Sequence, residues 1–333
     1  MKNRIFPFLL FISISLFSQS TKEKGFATIN KESAKAYIGF LASDAVEGRE
    51  AGRHGGRVAG EYLKSVLQDM GLKPLNEDSY FQPFEAYSPE RQKRVRFSVH
   101  PDSIQKYSQL PAHRKLELRN VLGYIEGENK NEYVVMGAHY DHLGMDEVLD
   151  GDKIYNGADD NASGVAVVLQ IAKAFLASGE KPERTIIFAL WDGEELGLLG
   201  SEYFMQTCPF ASEIKGYVNF DMIGRNNDEQ KPKYVVYFYT EAHPQFGEWL
   251  KSDIKTYGLG LEPNYCPWDK PIGGSDNASF AKRDVPVIWY HTDGHPDYHQ
   301  PSDHADKINW DKLVEITKAA YLNLWNLANL KTY

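Results

Sequence analysis

Between residues 133 and 292 the chain alternates short, almost wholly apolar runs with longer stretches whose apolar residues recur at helical spacing. YVVMGAH (133–139), TIIFALW (185–191), GYVNF (216–220), YVVYFYT (234–240) and PVIWYHT (286–292) read as strands. GVAVVLQIAKAFLASG (164–179), the stretch beginning SEYFMQTC (201–208) and FGEWLKSDIKTYG (246–258) read as helices, and a further helical pattern fills 311–330. Continuous apolar runs suit strands buried on both faces, and strand–helix alternation favours parallel pairing. Upstream, KESAKAYIGFLA (31–42) and GGRVAGEYLKSVLQDMGL (55–72) give two more helices, the second stopped by Gly71 and Pro74, with GRHGG (52–56) as a flexible turn between them. RVRFSVH (94–100) and NVLGYIEG (120–127) add short strands. The pattern predicts an α/β three-layer sandwich: a mixed, mostly parallel central sheet with helices on both faces. No repeat or linker divides residues 21–333, which are expected to form a single domain.

In open sheets of this kind ligands bind beyond the carboxyl ends of the strands, which turns the position of each polar residue into a clue. His139 closes the first run, with Asp141 two residues on; Asp192, Glu194 and Glu195 follow the second, and Asp221 the third. His291, His295 and His299 lie at and beyond the end of the last run, and Asp159 and Asp160 stand just ahead of the long helix. Carboxylates gathered on one rim repel one another unless protons or cations neutralise them. Imidazole and carboxylate donors without thiolate suit zinc, with manganese or cobalt also compatible. One of the two adjacent acids can then bridge two cations while its neighbour makes supporting contacts. The three histidines recur every fourth residue, but Gly294 and Pro296 break any helix that would align them, so at most one is expected to ligate.

Composition narrows the partners. A formal charge of −9 argues against a nucleic-acid partner and for a cation, a metal or a free amine. The opening 20 residues combine Lys2 and Arg4, an apolar stretch from Ile5 to Phe17, and small Ser18 and Ser20. That is the organisation of a secretory signal peptide, so the protein is expected to be exported, to a periplasm or beyond, with no membrane span in the mature chain. Cys208 and Cys266 are too few for a thiolate metal site or a disulfide framework, although export would permit them to pair.

GAHYDHLG (137–144), GADDNASGVA (157–166), WDGEELGLLGSEYF (191–204), NFDMIG (219–224) and YHQPSD (298–303) occur in an order that resembles the zinc-dependent aminopeptidases of the bacterial leucyl aminopeptidase type. That family also includes glutamate carboxypeptidase and glutaminyl cyclase relatives, and the resemblance extends from about residue 30 to about residue 330. It implies a zinc-exopeptidase-like sandwich holding two divalent ions, and a peptide or small amino-acid derivative as substrate. By the same resemblance one ion takes His139, Asp159 and Asp221, the other Asp159, Glu195 and His299, with Asp159 as the bridge. Glu194 is implied as general base, Asp141 as the acid that orients the His139 imidazole, Asp303 as a supporting acid, and Asp160 as shaping the site beside the bridge. The chain departs from the family at Asn277, where many members carry His after the Ser–Asp pair. It departs again at Ile272, Gly273 and Gly274, where the bacterial enzyme places a carbonyl-polarising Tyr; Tyr265, Tyr290 and Tyr298 are the candidate substitutes.

Three other readings compete with the aminopeptidase. A single-zinc glutaminyl-peptide cyclotransferase is disfavoured by Asp160, since those relatives usually carry a small hydroxyl residue as the second acid. A carboxypeptidase needs a clustered arginine site for the substrate carboxylate, and none is evident. A degenerate, non-catalytic binding module requires missing ligands.

Overall fold

The computed structural model describes residues 20–90, 96–268 and 273–333. Apart from Ser20 the expected signal peptide lies outside the described residues, as does Ile272. Three helices, α1 (Thr21–Phe26), α2 (Lys31–Leu41) and α3 (His54–Met70), lead into β1 (Lys73–Pro74), β2 (Phe81–Pro89), α4 (Pro101–Ser108) and β3 (His113–Ile125). The alternating part follows: β4 (Asn129–His139), α5 (Gly164–Ser178), β5 (Arg184–Trp191), α6 (Leu199–Thr207), β6 (Ile214–Phe220) and β7 (Tyr234–Thr240). Then come α7 (Gln245–Tyr257), β8 (Glu262–Trp268), α8 (Asn277–Ala281), β9 (Val287–His291) and α9 (Trp310–Asn329).

The strands form one nine-stranded sheet in the order β1-β3-β5-β4-β6-β9-β7-β8, with β2 also paired to β3. Parallel pairing occupies the centre, where β5, β4, β6 and β9 run together. The margins are antiparallel: β3 against β5, and β7 against β9, with β8 parallel to β7. The sheet is therefore mixed, as predicted, and the four strands whose ends carry the candidate ligands are the mutually parallel ones.

The apolar runs are continuous because helices cover both faces. Along β4, Val134, Met136 and Ala138 enter the core beneath α5 and α9, while Val135 enters the opposite core with Phe204 of α6 and Phe280 of α8. Each such burial contributes about 1.5–3 kcal/mol. The segment Ala158–Ser178 is apolar and long enough to cross a membrane by composition, yet 83% of its apolar window is buried inside the protein, which makes it a core helix.

Three local expectations change. GRHGG is not a flexible turn, because α3 already starts at His54; a Cβ on Gly55 would meet the Val46 carbonyl oxygen at 2.0 Å, so the helix start packs directly on preceding backbone. In the described part of RVRFSVH, Ser98 forms only an isolated bridge to Tyr87. The unpredicted strand β8 contains Pro263 and Pro267, which suits the sheet edge it occupies, where missing N–H groups cost no ladder bonds.

Candidate metal centre

Parallel register brings the ends of the central strands to one rim. His139 closes β4 opposite Trp191, the last residue of β5, and Phe220, the last of β6, lies opposite Tyr290 of β9. Asp192–Glu195 and Asp221 therefore leave the sheet on the same side as His139.

The loop GADDNASG decides which acid joins them. Asp160 and Asn161 have non-helical backbone, at φ −105°, ψ 91° and φ −134°, ψ 38°. Across this non-helical stretch the side chains of Asp159 and Asp160 diverge. Asp160 faces two imidazoles at once: its Oδ1 lies 3.4 Å from His139 Nε2 and its Oδ2 lies 3.2 Å from His299 Nε2. Asp221 Oδ1 stands 3.7 Å from His139 Nε2, and Glu195 Oε2 stands 3.3 Å from His299 Nε2. Asp159 turns away: its Oδ1 accepts the Gly224 N–H at 2.5 Å and its Oδ2 faces His295 Nε2 at 3.2 Å. The acid standing between His139 and His299 is thus Asp160, one residue on from the Asp159 expected there.

Buried polar groups hold these loops. Asn161 donates to the Phe220 carbonyl at 2.9 Å and accepts from the Gly164 N–H at 3.1 Å, tying the start of α5 to the end of β6. Asp303 Oδ2 accepts the amides of Asp159 and Asp160, at 2.9 and 3.1 Å. Asp141 accepts the amides of Glu194 and Glu195, at 3.0 and 3.3 Å, and its main-chain oxygen, at 3.2 Å, is nearer His139 Nδ1 than its carboxylate, at 3.7 Å. The imidazole of His139 is therefore oriented chiefly by a backbone carbonyl, while the Asp141 carboxylate anchors the Glu194–Glu195 turn. His142, whose place in GAHYDHLG carries no sequence signal of its own, sets its Nδ1 2.8 Å from Glu195 Oε1.

Of the three spaced histidines, only His299 reaches the cluster. It sits at φ 54°, in the left-handed region that non-glycine residues occupy mostly at constrained sites. His291 Nδ1 meets the Asp221 carbonyl at 2.6 Å, and His295 is the partner of Asp159. Asp192 also stays outside, its Oδ2 accepting the Arg119 amide at 3.0 Å.

The electrostatics follow from this packing. Burial disfavours a charged His139, yet Glu194, Asp160 and Asp221 raise its pKa well above the ordinary value. Burial likewise opposes charge on His299, and Asp160 and Glu195 raise it to about 10. Asp160 is held well below the usual carboxylate range, against its own desolvation, by His142, His139 and His299. Glu194 is pushed well above that range by burial, then by Asp221, Asp276 and Glu195, with His139 opposing. Carboxylates and imidazoles interleaved in this way offer donors from which a cation can displace protons.

Among the described residues, two overlapping groups bring their donor atoms within 4.8 Å of one another: His139, Glu194 and Asp221, and His139, Asp160 and Glu195. Imidazole nitrogens with carboxylate oxygens, and no thiolate, fit zinc. The cluster floors a cavity of about 270 Å³ walled by Met222, Trp289, His291 and Tyr298. Among the three candidate tyrosines, Tyr298 lines this cavity and stacks on His299 with centroids 3.8 Å apart, whereas Tyr290 is core and donates to Asn323. A larger groove, about 680 Å³, lies between α2, α3 and α5, away from these carboxylates.

The sequence profile described as Peptidase family M28 matches residues 120–323. The chain is 34% identical over 170 residues to Leupeptin-inactivating enzyme 1 of Streptomyces exfoliatus, covering 50% of this chain and 34% of that protein. It is 33% identical over 269 residues to a probable zinc metalloprotease of Pyrenophora teres f. teres (strain 0-1), covering 68% and 55%. The chain thus spans only about a third to a half of the length of these curated relatives. Among solved structures, the LapA aminopeptidase of Legionella pneumophila superposes with a TM-score of 0.68 at 22% identity, covering 100% of this chain and 81% of that one. The glutaminyl cyclase of Porphyromonas gingivalis superposes at 0.62 with 16% identity, covering 89% and 99%. At these identities the superpositions show the shared fold.

Proposed function

The chain belongs to peptidase family M28, and from that premise we propose that it is a two-ion metallo-aminopeptidase, cleaving the N-terminal bond of a peptide or small amino-acid derivative. His139, Asp160 and Asp221 hold one ion, His299, Asp160 and Glu195 the other, with zinc the natural occupant of these donors. The observation that carries this reading is the placement of the two Asp160 oxygens, each against a different imidazole Nε2 and each beside a further carboxylate. Divalent ions bound there would supply Lewis-acid polarisation of the scissile carbonyl and a more acidic water.

The chain's own groups do the remaining work. Glu194, one residue from a ligand and lining the cavity, accepts the proton of the attacking water and returns it to the leaving amine. Asp141 fixes the turn that presents Glu194 and Glu195. Tyr298, at the cavity wall beside His299, is the tyrosine placed to contact a substrate carbonyl. Acidic groups around the cavity favour a free N-terminal amine. Residues 21–333 act as one catalytic domain, and the Lys2-to-Ser20 segment supports export.

Aminoacyl-anilide hydrolysis by zinc-supplemented protein, with and without chelator, tests the reading. Amine release abolished by chelation and restored by zinc is expected. Chelator-insensitive release, or protein that retains no metal, overturns it; ring closure of glutaminyl peptides without amino-acid release assigns the site to a cyclotransferase.

A further inference from the structure

Arg49 is fully buried. Its guanidinium makes five hydrogen bonds, every one to a main-chain carbonyl: Nε to Tyr140 at 2.7 Å, Nη1 to Leu41 and to Asn156 at 2.7 Å, and Nη2 to Gly157 at 3.0 Å and Asp160 at 3.4 Å. Buried guanidinium groups ordinarily seat themselves on carboxylates. Here the acceptors are neutral; Leu41 closes α2, and the other four belong to two loops, 140–144 directly after His139 and 156–160, which carries Asp160. The positive field still reaches Asp160, Asp141, Asp303 and Glu195.

The backbone that delivers this side chain is itself constrained. Glu47, Gly48 and Arg49 have φ of 50°, 63° and 50°, three successive residues in the left-handed region. Non-glycine residues persist there only when the surroundings over-determine them. The surroundings are again the ligand loop: the His142 amide donates to the Arg49 carbonyl at 3.2 Å and the Gly144 amide to the Gly48 carbonyl at 2.9 Å. Gly48 is packed so closely that a Cβ would stand 2.2 Å from the Gly144 oxygen. Residues 47–50 form a strap that grips one loop with its backbone and both loops with the Arg49 side chain.

We propose that Arg49 is a positioning residue for the metal centre, tying the loop after β4 to the loop before α5 so that His139 and Asp160 stand at ligating separation before any ion arrives. The inference rests on the two-ion reading only for the identity of the ligands. A guanidinium reaches carbonyls on both loops through a planar fork; an ammonium has the charge without that reach.

Zinc affinity by competition with a chromophoric chelator, and amide hydrogen exchange, test the proposal without using turnover. In wild-type protein the amides of His142, Gly144, Asp159 and Asp160 should exchange at rates within about threefold of one another with and without zinc. Arg49→Met should weaken zinc binding about 10- to 100-fold per folded molecule, the range for groups that orient ligands, and Arg49→Lys should recover only part of it. Wild-type-like zinc affinity in Arg49→Met overturns the proposal, as do loop amides protected only after zinc is added. If Arg49→Met does not fold, the wild-type exchange comparison decides alone. A wild-type protein that binds no zinc overturns both this inference and the proposed function. One that binds zinc but hydrolyses nothing sinks the function and leaves this inference standing.

Discussion

Replacing each of the two adjacent acids separately tests which one belongs to the metal centre. Structural zinc sites gain about 10–16 kcal/mol from four ligands, or about 2.5–4 kcal/mol per ligand, which at about 1.4 kcal/mol per decade is about 10²- to 10³-fold in affinity. Asp160 offers one oxygen toward His139 and the other toward His299. Asp160→Asn keeps a single oxygen and points an amide NH₂ at the other position, so one ion should be lost outright and the remaining one weakened about 10²-fold or less. Asp159→Asn is different: an amide oxygen still accepts the Gly224 N–H, and only the charge facing His295 disappears. Its effect on zinc should stay within about tenfold, at the mild end for groups behind the ligands. Metal content after dialysis at defined free zinc, measured by plasma emission, together with a competitive titration, reads both. If Asp159→Asn loses more zinc than Asp160→Asn, the divergence of these side chains is not what selects the bridge, and the assignment fails.

Glu194→Gln should lower kcat about 10²- to 10⁴-fold while zinc content stays at the wild-type level, because it removes a proton acceptor and no ligand; loss of zinc in this variant would make Glu194 a ligand instead. Asp303→Ala should reduce zinc affinity about 10- to 100-fold, since the amides of Asp159 and Asp160 lose their shared acceptor; an unchanged titration would show that the loop holds itself. In chelated protein the contribution of His299 to stability should fall as pH rises. His299 is raised from 6.5 to about 10 in the folded chain, so its stabilising charge is fully present below pH 6.5 and is lost as pH climbs toward 10. The buried carboxyl of Asp276, raised to about 7 by desolvation, acts in the same direction at lower pH. In zinc-loaded protein the ion replaces the proton, so the gap in Tm between loaded and chelated samples should widen from pH 7 to 10; a gap that stays constant or narrows contradicts this.

The central strands and long helices were legible because each satisfies one strong constraint. A strand covered on both faces, such as 185–191, must be apolar throughout, and α5 must be apolar nearly all round because it lies inside the protein. Elements at the margin escaped for the converse reason. β8 carries two prolines and mixed polarity because an edge strand needs neither a full ladder nor two apolar faces, and α8 spans only five residues, too few to show a period. At the metal centre, sequence position located His139 and Asp221 because they end or follow regular strands. It failed for Asp159 against Asp160 because the choice depends on backbone dihedrals in a loop. Arg49 left no mark in the sequence: it lies about 90 residues before the nearest candidate ligand, and its contacts are to backbone, which carries no side-chain signature.

The division between ligands on strand ends and ligands on loops also accounts for the number of polar groups buried behind the cluster. His139 and Asp221 inherit their positions from the register of β4 and β6, which the apolar cores already fix. Asp160, Glu195 and His299 have no such support, since the backbone carrying them belongs to no ladder. Each loop bearing Asp160 or Glu195 is held by a buried polar side chain bonded to main-chain groups: Asp303 and Arg49 for the first, Asp141 for the second. Burying a charge is costly unless its hydrogen-bonding capacity is met, and these three meet much of it on the backbone they position. Their removal should therefore act on metal affinity more strongly than a core substitution of equal cost to stability. A Leu-to-Ala change in α9 that lowers Tm as far as Asp303→Ala, yet leaves zinc binding intact, would separate the two roles.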